Sequence, residues 1–167
     1  ALARGAAARS AQAELGDQID MVVSDHSPCT PELKLLEKGD FSKAWGGISS
    51  IQFSLPVVWS GAQARGYSLM QLTQWMCAAP ARFIGLEKRK GAIAPGMDAD
   101  LVVFDSEKEF KPEPAMIQHR HKLTPYSGQS LKGVVERTYL RGIEVYANGV
   151  FAGSPMGKPV LRAGDLK

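Results

Sequence analysis

Apolar positions along this chain follow two regimes. Up to about residue 89 they come as unbroken runs or at helical spacing; from Lys90 onward they sit in short stretches cut by glycine turns. The first run, Ile19-Asp20-Met21-Val22-Val23-Ser24, stops at Asp25-His26-Ser27-Pro28-Cys29. It predicts a buried parallel strand over 19–25 that turns away at Pro28 and Pro31, because proline cannot continue a ladder. The run from Trp45 to Trp59 predicts a helix, with Gly46-Gly47 before an expected N-cap at Ser49. Such a glycine turn presents free N–H groups that suit a carbonyl or an anion. Pro56 is expected to kink this helix, and Gly61 or Gly66 to end it. Ser68 caps a second helix, in which Leu69, Leu72, Met76 and Ala79 recur as core positions. Pro80 then turns a corner into a short helix, Ala81 to Ile84, with Gly85 as its stop.

From Lys90 the period shortens. Lys90 to Gly96 reads as a short strand and a turn, with Pro95-Gly96 suited to a type II turn. Leu101-Val102-Val103-Phe104-Asp105, the stretch from Gly133 to Arg141, and Ile143-Glu144-Val145-Tyr146 read as strands. Arg141-Gly142 and Asn148-Gly149 are the turns between partners, and Val150-Phe151 comes after them. The predicted organisation is a helical or inserted segment over 1–17, the last strand and helices of a barrel over 18–89, a β-sandwich portion over 90–152, and a loose tail over 153–167.

Size and composition narrow the picture. The chain has 167 residues and a formal charge of +3. A complete (β/α)8 barrel needs roughly 250 residues, so the expectation is the C-terminal piece of a larger α/β protein. The basic clusters Lys88-Arg89-Lys90 and His119-Arg120-His121-Lys122 lack interleaved aromatics, which argues against nucleic-acid binding. No apolar run approaches the roughly 20 residues of a membrane span. Cys29 and Cys77 form no C-x-x-C pair, and the expected compartment is reducing, intracellular and most simply cytoplasmic. The alanine-rich start, with Arg4 and Arg9, reads as a frayed helix or an insertion, or by composition as a transit peptide; it lacks a secretory h-region.

Asp25 carries the strongest chemical signal. A carboxylate at the end of a buried strand is costly unless a metal or another cation accompanies it; the alternative is a turn-forming or helix-capping aspartate. His26 is either a second ligand or an orienting residue of the loop, since successive strand residues face opposite ways. His119 and His121 are spaced for a zinc pair in a strand, but their proline-rich context favours surface positions. The chain has no G-x-S-x-G elbow, P-loop or G-x-G-x-x-G.

Ser24-Asp25-His26-Ser27-Pro28-Cys29 and Phe41-Ser42-Lys43-Ala44-Trp45-Gly46-Gly47-Ile48-Ser49-Ser50 closely resemble the allantoinases among the cyclic amidohydrolases, the family that includes dihydroorotases and hydantoinases. Pro80-Ala81-Arg82, Gly85-Leu86, the stretch from Lys90 to Val103, Lys122 to Tyr126, and Arg141-Gly142 before Val145-Tyr146 are similar to the wider family. The resemblance covers residues 18 to about 150.

That resemblance implies a fold, a reaction and a set of residue roles. The implied fold is the C-terminal end of a metal-dependent hydrolase barrel plus part of a small β-sandwich. The implied reaction is opening of the hydantoin ring of (S)-allantoin to allantoate, in a full-length homotetramer. By the same resemblance, Asp25 is the last ligand of a two-zinc site and the general base, taking a proton from the attacking hydroxide and passing it to the departing nitrogen. Ser27 and Cys29 occupy loop positions that touch substrate in the family, and the main chain of Ser49 matches the position that binds the substrate ring. The remaining zinc ligands, an H-x-H pair, a carboxylated lysine and two further histidines, lie on strands that cannot be placed in this sequence. The alternatives are another hydantoinase or dihydropyrimidinase, or a non-catalytic assembly protein on the same fold. In an assembly protein, nothing physical requires Asp25.

Overall fold

Turn chemistry organises the second half of the chain. Arg141 and Gly142 have φ of 50° and 80°, and Asn148 and Gly149 have 47° and 93°. Paired positive φ angles are those of a type I′ turn, whose twist matches the strands it joins. These turns link β2 (Leu131–Leu140), β3 (Ile143–Ala147) and β4 (Val150–Phe151). β1 (Leu101–Phe110) completes a four-stranded antiparallel sheet in the order β1-β2-β3-β4. β1 runs against β2 from Leu101↔Tyr139 to Phe110↔Leu131, with irregularities after Val103 and after Asp105. At the second of these, the Asp105 carboxylate accepts the Glu107 and Lys108 N–H groups at 3.0 and 3.1 Å. The computed structural model describes residues 20–160; the expectations for residues 1–17 and for the end of the tail lie outside them.

Between Lys90 and Gly96 the expected strand does not form, although its turn does, closed by Met97 N–H on the Ala94 carbonyl at 3.1 Å. Gly91 sits so close to the preceding helix that a Cβ there would lie 2.8 Å from the Cys77 carbonyl oxygen. This segment packs across a helix and takes no place in the sheet.

The helical part begins with a 3-10 turn, Ile51–Phe53, that runs into α1, Ser54–Gln63. The helix starts later than the expected cap at Ser49, and Pro56 falls in its first turn, where a missing N–H costs nothing. Gly61 lies inside the helix, and Gly66, with φ +81°, comes after its end. Ser68 caps α2 (Leu69–Thr73) through a reciprocal box with Gln71. The expected corner is absent. A π turn, Gln74–Ala78, carries the chain directly into α3, Ala79–Phe83, and Ala79 N–H reaches the Gln74 carbonyl five residues back. The wider turn accommodates Pro80, which has no N–H to give.

The core has two adjoining clusters. Phe53, Ile117, Tyr126 and Leu131 form one, and Trp59, Ala62 and Leu72 the other, with Phe104 packed against it. α1 therefore lies on the sheet. Trp59 Nε1 donates to the Ser106 carbonyl at 2.8 Å, and the Lys132 N–H donates to Ser60 Oγ at 2.7 Å. Gly133, at φ +98°, makes room for this contact, since a Cβ there would lie 3.0 Å from Trp59 Cδ1 and overlap the Phe104 ring.

Residues 20–25 form no strand. Their pairing among the described residues is a hydrogen bond from Val22 N–H to the Trp75 carbonyl at 3.0 Å, with an isolated parallel bridge between His26 and Ile48 just beyond. An apolar run becomes a strand only where a row of backbone partners meets it.

Candidate active site

Three separate segments meet at one corner: Ser24–Cys29, Gly47–Gln52 and Met116–Thr124. The bridge His26↔Ile48 is reinforced by Ser27 N–H on the Ile48 carbonyl at 2.8 Å. Gly47 permits this approach, because a Cβ there would lie 2.8 Å from the Ser27 carbonyl oxygen and inside its side chain. The Lys34 ammonium secures the other side, donating to the Trp45 carbonyl at 2.9 Å and to the Gly47 carbonyl.

Asp25 stands exposed on the first segment with φ +41°, a left-handed backbone that aspartate tolerates better than most residues. The expected burial of its carboxylate is not found, because the strand that was to bury it is absent. Ser27 is half-buried at the bridge. Cys29 is buried, with a free thiol. Ser49 is also buried, and its carbonyl accepts the Thr124 hydroxyl at 2.8 Å.

The N–H groups expected to be free at the helix entrance are occupied. His26 Nδ1 accepts from Ser50 N–H at 3.1 Å and from Ile51 N–H at 3.2 Å. The Ser50 hydroxyl is also taken, donating to the Ser24 carbonyl at 2.7 Å. Of the two readings of His26, the loop-orienting one describes these contacts.

His119, read from sequence as a surface residue, has both ring nitrogens buried without a hydrogen-bond partner among the described residues. Its ring meets that of His26 edge-on, with centroids 5.3 Å apart and planes at 67°. Burial first, then the nearby His26 and Lys122, hold His119 below the ordinary histidine range, with the His121 main chain working weakly the other way. The spacing of His119 to His121 does not point to this place; the ring partner of His119 lies on the first segment.

As a metal centre this donor set falls short. Among the described residues no group of three or more His, Cys, Asp or Glu is arranged to hold a metal ion. A catalytic zinc takes three protein ligands, and Asp25 alone would supply one of them.

The chain is 46% identical over 151 residues to an allantoinase of Streptomyces avermitilis, covering 90% of this chain and 33% of that protein. It is 48% identical over 145 residues to an allantoinase of Saccharomyces cerevisiae, covering 86% and 30% respectively. Among solved structures, the L-hydantoinase (dihydropyrimidinase) of Arthrobacter aurescens superposes with a TM-score of 0.76 at 31% identity, over 82% of this chain and 31% of that one. The chain thus spans about a third of the length of these relatives. Residues 3–145 match the amidohydrolase family, and the chain belongs to that family.

Proposed function

We propose that the protein carrying this chain is a cyclic amide hydrolase that opens the hydantoin ring of (S)-allantoin to allantoate, in purine and ureide breakdown. The observation that carries this reading is the joining of the Asp25 loop to the Ser49 segment through the His26↔Ile48 bridge. It joins the loop that carries the exposed Asp25 carboxylate to the segment whose Ser49 main chain is read as holding the ring. Identity of 46–48% to allantoinases, against 31% to a hydantoinase, favours allantoin over other hydantoins.

In this reading the Ser49 main chain holds the ring, and Ser27 and Cys29 shape the adjoining wall. Asp25 takes a proton from the water that attacks the ring amide carbonyl. It returns that proton to the ring nitrogen as the C–N bond breaks, so the carboxylate ends as it began. Two zinc ions would supply Lewis-acid polarisation when bound. Their ligand set is not met by the described residues. A homotetramer in the cytoplasm is the accompanying proposal for the full-length protein; among the described residues no helix is long and apolar enough to cross a membrane.

Assay of the full-length protein on allantoin, 5-substituted hydantoins and dihydroorotate tests the substrate. Asp25→Asn is expected to lower kcat on allantoin by about 10²–10⁴-fold, the range of a lost general acid–base group. Near-normal turnover in that variant would remove Asp25 from the chemistry.

A further inference from the structure

Resting on the reading just given, we propose that His26 is a positioning residue whose Nδ1 fixes Asp25 relative to the Ser49 main chain. Two N–H groups, Ser50 at 3.1 Å and Ile51 at 3.2 Å, converge on this one nitrogen. Nδ1 therefore carries the lone pair, and the ring proton sits on Nε2. The two donors belong to the entrance of the 3-10 turn Ile51–Phe53, where N–H groups have no partner within the turn itself. Ser50 is the N-cap residue, yet its side chain makes no cap bond and instead donates its hydroxyl to the Ser24 carbonyl. His26 does that work from 24 residues upstream.

The consequence is geometric. The residue after Asp25 is hydrogen-bonded to the residue after Ser49. The Ser50 hydroxyl bond to the Ser24 carbonyl ties the residue before Asp25 to the same place. Asp25 is thus anchored on both sides while its own backbone holds φ +41°, a conformation that persists where the surroundings over-determine it. The His119 ring packs edge-to-face with the His26 imidazole, centroids 5.3 Å apart, on the ring whose Nδ1 takes the two donors.

The test uses side chains that differ in where their acceptor lies. The amide oxygen of asparagine can occupy the place of Nδ1, whereas that of glutamine reaches the place of Nε2. In the full-length protein, His26→Gln and His26→Ala are expected to lower kcat on allantoin about 10–100-fold, the scale of a misplacement near 1 Å, with KM little changed. His26→Asn is expected to stay close to wild type. Hydrogen exchange read by mass spectrometry should speed up over residues 24–29 and 47–53 in the Gln and Ala variants, and not in Asn. Equal behaviour of Gln and Asn in both measurements, or unchanged kcat in His26→Ala, would overturn the proposal. If His26→Ala does not fold, the Asn and Gln pair decides. If the wild-type protein opens no hydantoin, the proposed function fails, and the exchange comparison alone then decides whether Nδ1 anchors the loop.

Discussion

Asparagine shares aspartate's tolerance of a left-handed backbone, so Asp25→Asn changes charge and basicity with the φ +41° preference kept. Alanine at the same place would alter both, and its effect would not separate chemistry from conformation. Gly47 is the other residue at which a single atom matters. In Gly47→Ala the new Cβ meets the Ser27 main chain at 2.8 Å, and a backbone oxygen cannot swing aside as a side-chain end can. This variant is expected to lose about 1–3 kcal/mol in a denaturant melt and about tenfold or more in kcat/KM, because relief requires the two segments to part. Wild-type values would mean that the bridge yields at no cost. Asp25 was legible in the sequence because an acid that ends an apolar run is out of place there. Gly47 was legible as a flexible approach, but Ser27 as its partner was not. His119 stood out only by its spacing to His121, since a ring that packs on a distant histidine carries no spacing signal.

Among the elements, those closed by local turn chemistry were readable. Both I′ turns, the Pro95-Gly96 turn and the Ser68 cap stand where their residues placed them. Ser68→Ala removes the reciprocal box with Gln71 and is expected to lower stability by about 1 kcal/mol, read as a shift in the denaturation midpoint at unchanged slope. Elements that depend on remote partners were not readable. The run 19–25 has a strand's composition and, in its described part, no ladder; the π turn arises from packing around Pro80 and Gly91. The Lys90 cluster gives an electrostatic prediction at this scale. Lys90 pairs with Asp98 at 3.0 Å and with Asp100, and Arg89 also reaches Asp98. Hydrogen bonds from Lys90 hold both carboxyls below the ordinary range, and Asp100 first, then Asp98, hold Lys90 above its own. The stability lent by the depressed carboxyls is complete above the unfolded value near 4 and is lost as pH falls through their folded values; Lys90's share is complete below about 10.4 and is lost as pH rises through its raised value. The melting temperature should therefore vary little at neutral pH through this cluster and fall in acid below about pH 4. The Asp98→Asn/Asp100→Asn double variant should show a shallower fall, and added salt should shrink the difference because the groups are near the surface. Identical acid slopes for wild type and double variant would mean that the cluster contributes nothing.

At the scale of the whole molecule, α1 joins the candidate site to the sheet. The run from Ile48 to Trp59 packs against the sheet along part of its surface. Phe53 and Trp59 are inside, 2% and 4% exposed, whereas Ile51 between Ser50 and Gln52 is 58% exposed. Further apolar surface faces solvent at Met70, Phe83 and Ile93. These 167 residues alone are expected to bind no zinc tightly and to hydrolyse no allantoin, since the described residues hold no group of three His, Cys, Asp or Glu and three ligands are needed. Stoichiometric zinc with turnover in the purified chain would contradict this. The relatives are about three times as long as the matched region, so most of their surroundings for such a site lie beyond it.

The bond from Thr124 to the Ser49 carbonyl has a kinetic meaning as well. It joins positions 75 residues apart, whereas β2, β3 and β4 are linked by two-residue loops. Closing a long loop costs more chain entropy and takes longer than closing a hairpin. A refolding molecule therefore regains its meander first and the Ser24–Cys29 corner last. The return of strand signal in a refolding experiment should precede the return of any catalytic competence.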